Sequence, residues 1–392
     1  MKSQGKVKWR TITLTTDPND IVIGTPGNDT VNGDAGTVQN TDSIIDQTTT
    51  DNDVANLVLT TKYTPGTFSN IETINFDWDA FGTAEFDMDN VVGAKNVNLT
   101  SAKVGFLGNA TVTNADGVTL TAGTGMIGTL TASGFKTGTV EGGSSKAMVI
   151  NGTTTNADNE SITVNAGANT TSVSVGATNG FKAATIDAGT AATISVGDAG
   201  NATDVTNLTV NADATITNSA TGKVNLTAND GNSVTIDAIG EALDVAGTGT
   251  ITLNSTALNT ETVTNNVDGT LNVVSSDTTA QDVSKVDADL IKFTGNVNGA
   301  LTFKSGANAE LTASTVTSAV ITGSAAKDES VNLKASGATI TALQAATSLE
   351  TLNLTAAAPQ VTGTDLTVTT LTLNSNKLMV SGTNDVSLGN VT

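Results

Sequence analysis

The 392-residue sequence predicts an all-β protein whose strands stack as a right-handed parallel β-solenoid, with a short β-roll-like segment near the N-terminus. Three observations carry this expectation. Apolar and polar residues alternate at period two in short runs, the runs recur at near-regular spacing between turn residues, and the chain is poor in large side chains. A tandem series of β-sandwich domains is the alternative architecture.

The alternation is clearest in Asn96-Val97-Asn98-Leu99-Thr100, Val118-Thr119-Leu120-Thr121, Ile162-Thr163-Val164-Asn165, Thr193-Ile194-Ser195-Val196 and Leu208-Thr209-Val210-Asn211, and it persists to Leu371-Thr372-Leu373-Asn374. Each run places Val, Ile or Leu on one face and Thr, Asn or Ser on the other, which suits a pleated, half-buried strand. The runs recur roughly every 9–16 residues between Gly, Asn, Asp, Ala and Ser. Aromatic residues make up 3% of the chain and Pro only 4 residues, and no Trp or Tyr follows residue 100. Sandwich cores commonly carry a buried Trp or Tyr, whereas coils of roughly 20–30 residues per turn stack small side chains in a thin core. No long stretch has a 3.6-residue period. The Ala-rich segment Ala342-Leu343-Gln344-Ala345-Ala346 reads as a single helical turn at a corner.

Aromatic and acidic residues are both concentrated in the first quarter, with Phe76, Trp78, Phe81 and Phe86 beside Asp77, Asp79, Glu85, Asp87 and Asp89. This places a boundary near residue 95 and predicts three regions: a basic arm over 1–10, an acidic segment over 11–95, and a Thr/Asn/Gly-rich solenoid over 96–392. A longer echo links the ends, because Ile71-Glu72-Thr73-Ile74-Asn75-Phe76 reappears as Leu349-Glu350-Thr351-Leu352-Asn353-Leu354. It reads either as a repeated module with Glu at a corner or as convergence on strand composition.

Composition narrows the chemistry. There is no Cys and no His, which excludes Cys and His zinc sites and nucleophilic triads built on either residue. A formal net charge of −21 with a single Arg, Arg10, argues against nucleic-acid partners. The basic start, Met1 to Arg10, is not followed by the apolar stretch of a secretory signal. No run approaches the ~18 apolar residues of a membrane-spanning helix.

Residues 24–33 read Gly-Thr-Pro-Gly-Asn-Asp-Thr-Val-Asn-Gly. Gly24, Gly27, Asp29 and Val31 fall in register with the nonapeptide G-G-x-G-x-D-x-U-x of calcium-binding β-rolls. The preceding nine residues put Asp20 and Val22 at the same positions, and Asp42-Ser43-Ile44 follows after a short insertion from Gly33. Glycines allow a tight turn, the aspartates supply hard oxygen ligands suited to Ca²⁺, and Val22, Val31 and Ile44 would point inward. The candidate ligating set is Asp20, Gly24, Gly27, Asn28, Asp29, Gly33 and Asp42; a metal-free pair of Asn/Asp/Gly turns is the competing reading. The Asp77–Asp89 carboxylates read as one face of two strands, either solvated or able to bind calcium.

Taken together, Thr13-Leu14-Thr15-Thr16, the Gly24–Gly33 unit, the strand Ser69-Asn70-Ile71-Glu72-Thr73-Ile74-Asn75 and the long Thr/Ala/Asn/Gly/Val tract resemble bacterial surface-layer proteins of the RTX type. The chain departs from that family at Asn70, where the family strand has Gly. The resemblance implies export by type I secretion to the cell surface, and calcium-dependent assembly of the chain with itself into a lattice or filament. It gives Asp20, Asp29 and Asp42 the ligand role by motif position and implies nothing at the Asp77–Asp89 cluster.

The expected function is therefore structural and extracellular, not enzymatic, with Ca²⁺ as cofactor, copies of itself as partner, and a cell-surface polysaccharide as a further candidate partner. The basic arm around Lys6 to Ile12 would dock on an acidic neighbour or stay unstructured. Two readings compete: an adhesin passenger that forms no lattice, and a β-helix polysaccharide-active enzyme using Asp77 and Asp79 as its carboxylate pair.

Overall fold

The computed structural model describes residues 8–103, 108–153, 160–178, 180–197, 205–219, 221–229, 231–238, 241–255, 262–276, 281–294, 298–304 and 306–311, and beyond these the backbone of further strands up to residue 391. Every pairing between named strands is parallel, and the described residues form strands and turns without helix. The chain is a parallel β-solenoid, as the alternation predicts. No helix among the described residues is long and apolar enough to cross a membrane.

The chain divides into two compact units, one of residues Met1–Asn211 with Ser219–Thr221, the other of Ala212–Asn218 with Gly222–Thr392. Ten strands open the first unit: β1 (Thr11–Thr13), β2 (Ile21–Ile23), β3 (Thr30–Gly33), β4 (Ser43–Ile45), β5 (Val54–Leu59), β6 (Thr67–Ser69), β7 (Thr73–Trp78), β8 (Ala84–Asp87), β9 (Val91–Val92) and β10 (Asn96–Thr100). They make three faces. β1, β3, β5, β7 and β10 pair in that order, β2, β4, β6 and β9 form a second sheet, and β8 starts a third that continues with Ala110–Thr113 and Thr129–Phe135. The ladder from β7 to β10 runs in register through residue 95, with Thr73 opposite Asn96 and Phe76 opposite Leu99. In the second unit, Lys223–Ala228, Ala242–Gly247 and Thr262–Val267 form one ladder, and Ser233–Ile236, Thr250–Ser255, Thr270–Ser275 and Leu290–Phe293 lie in another.

Register makes the core. Val31, Ala55, Ile74 and Val97 occupy one inward column and Leu57, Phe76 and Leu99 the next, all at most 2% exposed. Their outward neighbours form a column of amides: Asn56 Nδ2 donates to Asn32 Oδ1 at 2.9 Å, Asn75 Nδ2 to Asn56 Oδ1 at 2.8 Å, and Asn98 Nδ2 to Asn75 Oδ1 at 2.8 Å. These partners are 24, 19 and 23 residues apart, so turn length varies while strand register does not. The first-quarter aromatics Tyr63, Phe76, Trp78 and Phe86 are buried in the core. Phe76 stacks on Phe86 with centroids 4.8 Å apart, and Tyr63 meets Phe76 edge-on at 5.9 Å. Phe81 stays outside, 72% exposed.

Two expectations need correction. Leu343–Ala345 is a strand, paired in parallel with Ser318–Gly323, and not a helical turn; ladder hydrogen bonds outweigh the weak helix preference of two or three alanines. Ala342 and Ala346 lie outside the described residues, as do residues 1–7 of the basic arm. The 71–76/349–354 echo is strand in both places, but Glu72 precedes β7, whereas Leu349–Ala356 takes its glutamate into the strand at a register shift against Glu329–Ala335.

Phe76→Ala should remove about 3–5 kcal/mol of stability, because it empties the stack on Phe86 in a closely packed interior. Phe76→Leu should cost less than half as much. Chemical denaturation of both variants, followed by circular dichroism, checks the ratio.

Candidate metal centre

The corners of the first unit are built on carboxylates placed one residue before a strand. Asp29, Asp53 and Glu72 precede β3, β5 and β7, whose first residues Thr30, Val54 and Thr73 are register partners. Each side chain reaches back one turn to the main chain at the equivalent corner. Arg10 N donates to Asp29 Oδ1 at 2.5 Å, Asp29 N to Asp53 Oδ1 at 2.6 Å, and Asp53 N to Glu72 Oε2 at 2.9 Å. Among the described residues, Glu72 is the one member in an ion pair, with Lys95 Nζ at 3.8 Å. Asp20 and Asp42 form a second column before β2 and β4, with Asp20 N donating to Asp42 Oδ1 at 3.1 Å.

The structure therefore distributes the aspartates of the nonapeptide reading over two columns. It brings Asp20 to Asp42, and Asp29 to Asp53. Their oxygens are already engaged. Asp29 Oδ2 accepts Thr25 N at 2.5 Å and its Oδ1 also accepts Thr25 Oγ1 at 3.0 Å. Asp42 Oδ2 accepts Gln39 N at 2.8 Å, and Asp20 accepts Thr15 N at 2.5 Å and Thr15 Oγ1 at 3.0 Å. Val22, Val31 and Ile44 do point inward, at 7%, 2% and 0% exposure.

The glycines act differently from expectation. None of Gly24, Gly27 and Gly33 has a positive φ. Gly33 ends β3 against apolar neighbours, where a Cβ would come within 2.4 Å of Val38 and 3.1 Å of Leu57. Gly24 provides room for acids: a Cβ there would lie 2.2 Å from Asp46 Oδ1 and 3.1 Å from Asp29 Oδ2. Asn28 is exposed, and its Oδ1 accepts Asn52 N at 3.1 Å from the next turn. Asn70 has φ 57°, in the left-handed region that Gly and Asn tolerate.

The convergence lies one corner further on. Asp46 leaves β4, Asp53 enters β5, and the segment between them folds back so that Asp46, Asp51 and Asp53 each bring one carboxylate oxygen within 4.8 Å of the others. They are 2%, 9% and 1% exposed. One oxygen of each is held: Asp46 Oδ2 by Thr48 N at 2.5 Å, Asp51 Oδ1 by Thr48 Oγ1 at 2.5 Å, and Asp53 Oδ1 by Asp29 N. The other oxygens, Asp46 Oδ1, Asp51 Oδ2 and Asp53 Oδ2, are buried without a hydrogen-bond partner. Burial pushes the Asp53 carboxyl up from 3.8 to about 7, with the negative charges of Asp46, Asp51 and Asp29 adding to the effect and the hydrogen bond from Asp29 N opposing it. Asp42 is also raised, chiefly by burial, with Asp20 and Asp17 contributing.

The sequence reading missed Asp46, Asp51 and Asp53. The available signal was a threonine run bracketed by acids, Asp46-Gln47-Thr48-Thr49-Thr50-Asp51-Asn52-Asp53. The later acids do not converge as a group, since Asp77 lies on the β7 ladder while Glu85 and Asp87 lie on β8. Asp79 pairs with Lys103 at 3.0 Å, and Asp87 Oδ1 accepts Asn114 Nδ2 at 2.8 Å. No known protein family, curated protein or solved structure matches the chain at a significant level.

Two outcomes follow from this corner. Asp29→Ala leaves Arg10 N and Thr25 N without their acceptor and should cost about 1–3 kcal/mol per group left buried. Asp29→Asn keeps an acceptor oxygen and should cost less, as urea denaturation would measure. In metal-free buffer, folded Asp53 keeps its proton to about pH 7 while the unfolded chain releases it near 3.8. The folded state thus binds more protons between those values, and stability should fall as pH rises from about 4 to 7, then level off. Thermal melts of the native chain and of Asp53→Asn should show the slope in the first and its reduction in the second.

Proposed function

We propose that the chain is a structural, extracellular protein that assembles with copies of itself into a cell-surface layer or filament, in a calcium-dependent way. The observation that carries the assembly reading is a pair of sheet-edge strands. β1 and β2 stand at the ends of their sheets, each with one strand edge that pairs with nothing among the described residues. Such an edge is a template for another strand. The outer face of β2 adds apolar surface beside its edge, with Ile21 72% and Ile23 50% exposed.

Calcium is supported by the chemistry of the acidic corners. Oxygen donors crowd there, and a divalent cation offsets their mutual repulsion. Export by type I secretion rests on the resemblance to RTX-type surface-layer proteins. A cell-surface polysaccharide partner is supported by a depression of about 350 Å³ lined by Asn32, Asn56, Asn75, Asp34 and Asp77. Planar amides and carboxylates suit sugar hydroxyls.

Negative-stain electron microscopy of the purified chain, in millimolar Ca²⁺ and then in excess chelator, tests the reading. Ordered sheets or filaments that disappear on chelation are the expected result. Monodisperse particles in both conditions would overturn it and leave the adhesin reading ahead.

A further inference from the structure

We infer that Asp46, Asp51 and Asp53 form a calcium site of their own, separate from the aspartates of the Gly24–Gly33 unit and its neighbours. This rests on the calcium part of the proposed function and is independent of the assembly part.

The argument begins with which oxygens remain available. Every carboxylate of the nonapeptide reading has both oxygens engaged by donors: Asp29 by Arg10 N, Thr25 N and Thr25 Oγ1, Asp42 by Asp20 N and Gln39 N, and Asp20 by Thr15 N and Oγ1. Recruiting one of them as a ligand would weaken the bonds that hold adjacent turns together. Asp46, Asp51 and Asp53 differ in kind. Each has one oxygen tethered, by Thr48 or by Asp29 N, and a second that is buried with no donor. The tethers fix the carboxylates, and one carboxylate oxygen of each residue lies within 4.8 Å of one from each of the others. A buried polar atom without a partner is rare and costly, and three carboxylate oxygens of that kind at one corner are ready acceptors for a cation. No Lys or Arg forms an ion pair with any of the three among the described residues.

The donor set selects the ion class. All three donors are carboxylate oxygens, which favours a hard divalent cation over softer metals. Oxygens no more than 4.8 Å apart can be spanned by one ion, and Ca²⁺, which takes oxygen ligands at about 2.3–2.6 Å in a flexible geometry, accepts an irregular set more readily than Mg²⁺, which needs a near-ideal octahedron. Three protein oxygens leave the remaining coordination positions to water, and Asp51 is the least buried of the three residues, at 9% exposure.

Comparison of successive turns accounts for the location. Gly24 leaves β2 at the register position where Asp46 leaves β4, and Asp29 enters β3 where Asp53 enters β5. In the earlier corner the exit residue has no side chain, and Asp29 turns its oxygens onto Thr25. In the later corner an acid occupies the exit, and its Oδ1 projects into the space a Cβ at Gly24 would fill. The Gly24 position of the glycine-rich unit thus makes room for the ligand of the next turn.

The test is equilibrium dialysis of ⁴⁵Ca²⁺ against the full chain under dilute, dissociated conditions, with native protein, Asp51→Asn and Asp20→Asn compared, and with Mg²⁺ as competitor. Asp51→Asn should weaken binding at one site by at least tenfold, Asp20→Asn should leave that site unchanged, and Mg²⁺ should compete poorly. Gly24→Ala should also weaken it, by displacing Asp46. An absence of Ca²⁺ binding by the native chain, or loss of binding in Asp20→Asn with Asp51→Asn unaffected, would overturn the inference. Should Asp51→Asn fail to fold by circular dichroism, anomalous scattering from native crystals soaked in a lanthanide decides the matter. A peak bridging Asp46, Asp51 and Asp53 supports the site, and peaks confined to other residues refute it. Binding by a chain that never assembles under the microscope would leave this site standing and remove only the assembly reading.

Discussion

The first unit depends on how its corners satisfy the main chain. A coiled ladder turns sharply several times per turn, and at each bend amide groups leave the regular strand pattern and face the neighbouring turn. Buried amides need acceptors. Asp29, Asp53 and Glu72 provide them from the following turn, and Asp42 does the same for Asp20 in the parallel column. The solution places carboxylates above one another at about the strand spacing of ~4.8 Å. Main-chain satisfaction and charge repulsion therefore act at the same residues, and the repulsion is greatest where the loop adds Asp46 and Asp51 to Asp53. The Asp53 carboxyl is raised there chiefly by burial, with the charges of Asp46, Asp51 and Asp29 adding to it.

The remaining architecture follows from modest side chains held in strict register. Inward columns such as Val31, Ala55, Ile74 and Val97 fill a narrow interior without aromatics. Where the first unit has a third face, from β2 to β9, its interior takes in Tyr63, Phe76, Trp78 and Phe86. The first-quarter bias in composition is thus a matter of cross-section. On either side of residue 95, Thr73 to Asp77 and Asn96 to Thr100 pair in register.

Period-two alternation was enough to read the architecture, because it is a local property that each strand displays by itself. The corner positions of Asp20, Asp29 and Asp42 were legible from motif register for the same reason. What those side chains do there was not. Whether an aspartate oxygen accepts an amide or stays free depends on residues 19 to 24 positions away, as with Arg10 on Asp29 and Asp29 on Asp53. The closure of the Asp46–Asp53 segment was equally hidden, since it needs Thr48 to hold two acids and Gly24 to vacate space from the preceding turn. Leu343–Ala345 illustrates the same limit: local helix preference was visible, and the partner strand that overrides it was not.

The amide column on the outer face has a direction. From Asn98 to Asn75 to Asn56 to Asn32, each side chain donates toward the earlier turn and accepts from the later one. The dipoles point one way, and hydrogen bonds aligned in this manner polarise one another. Each completed turn therefore offers the next an acceptor already oriented, at a fixed height and on a fixed face. During synthesis, which starts at the N-terminus, each new turn meets an acceptor that the preceding turn already presents. The four asparagines thus give the outer face a polarity that runs along the chain from the later turn to the earlier.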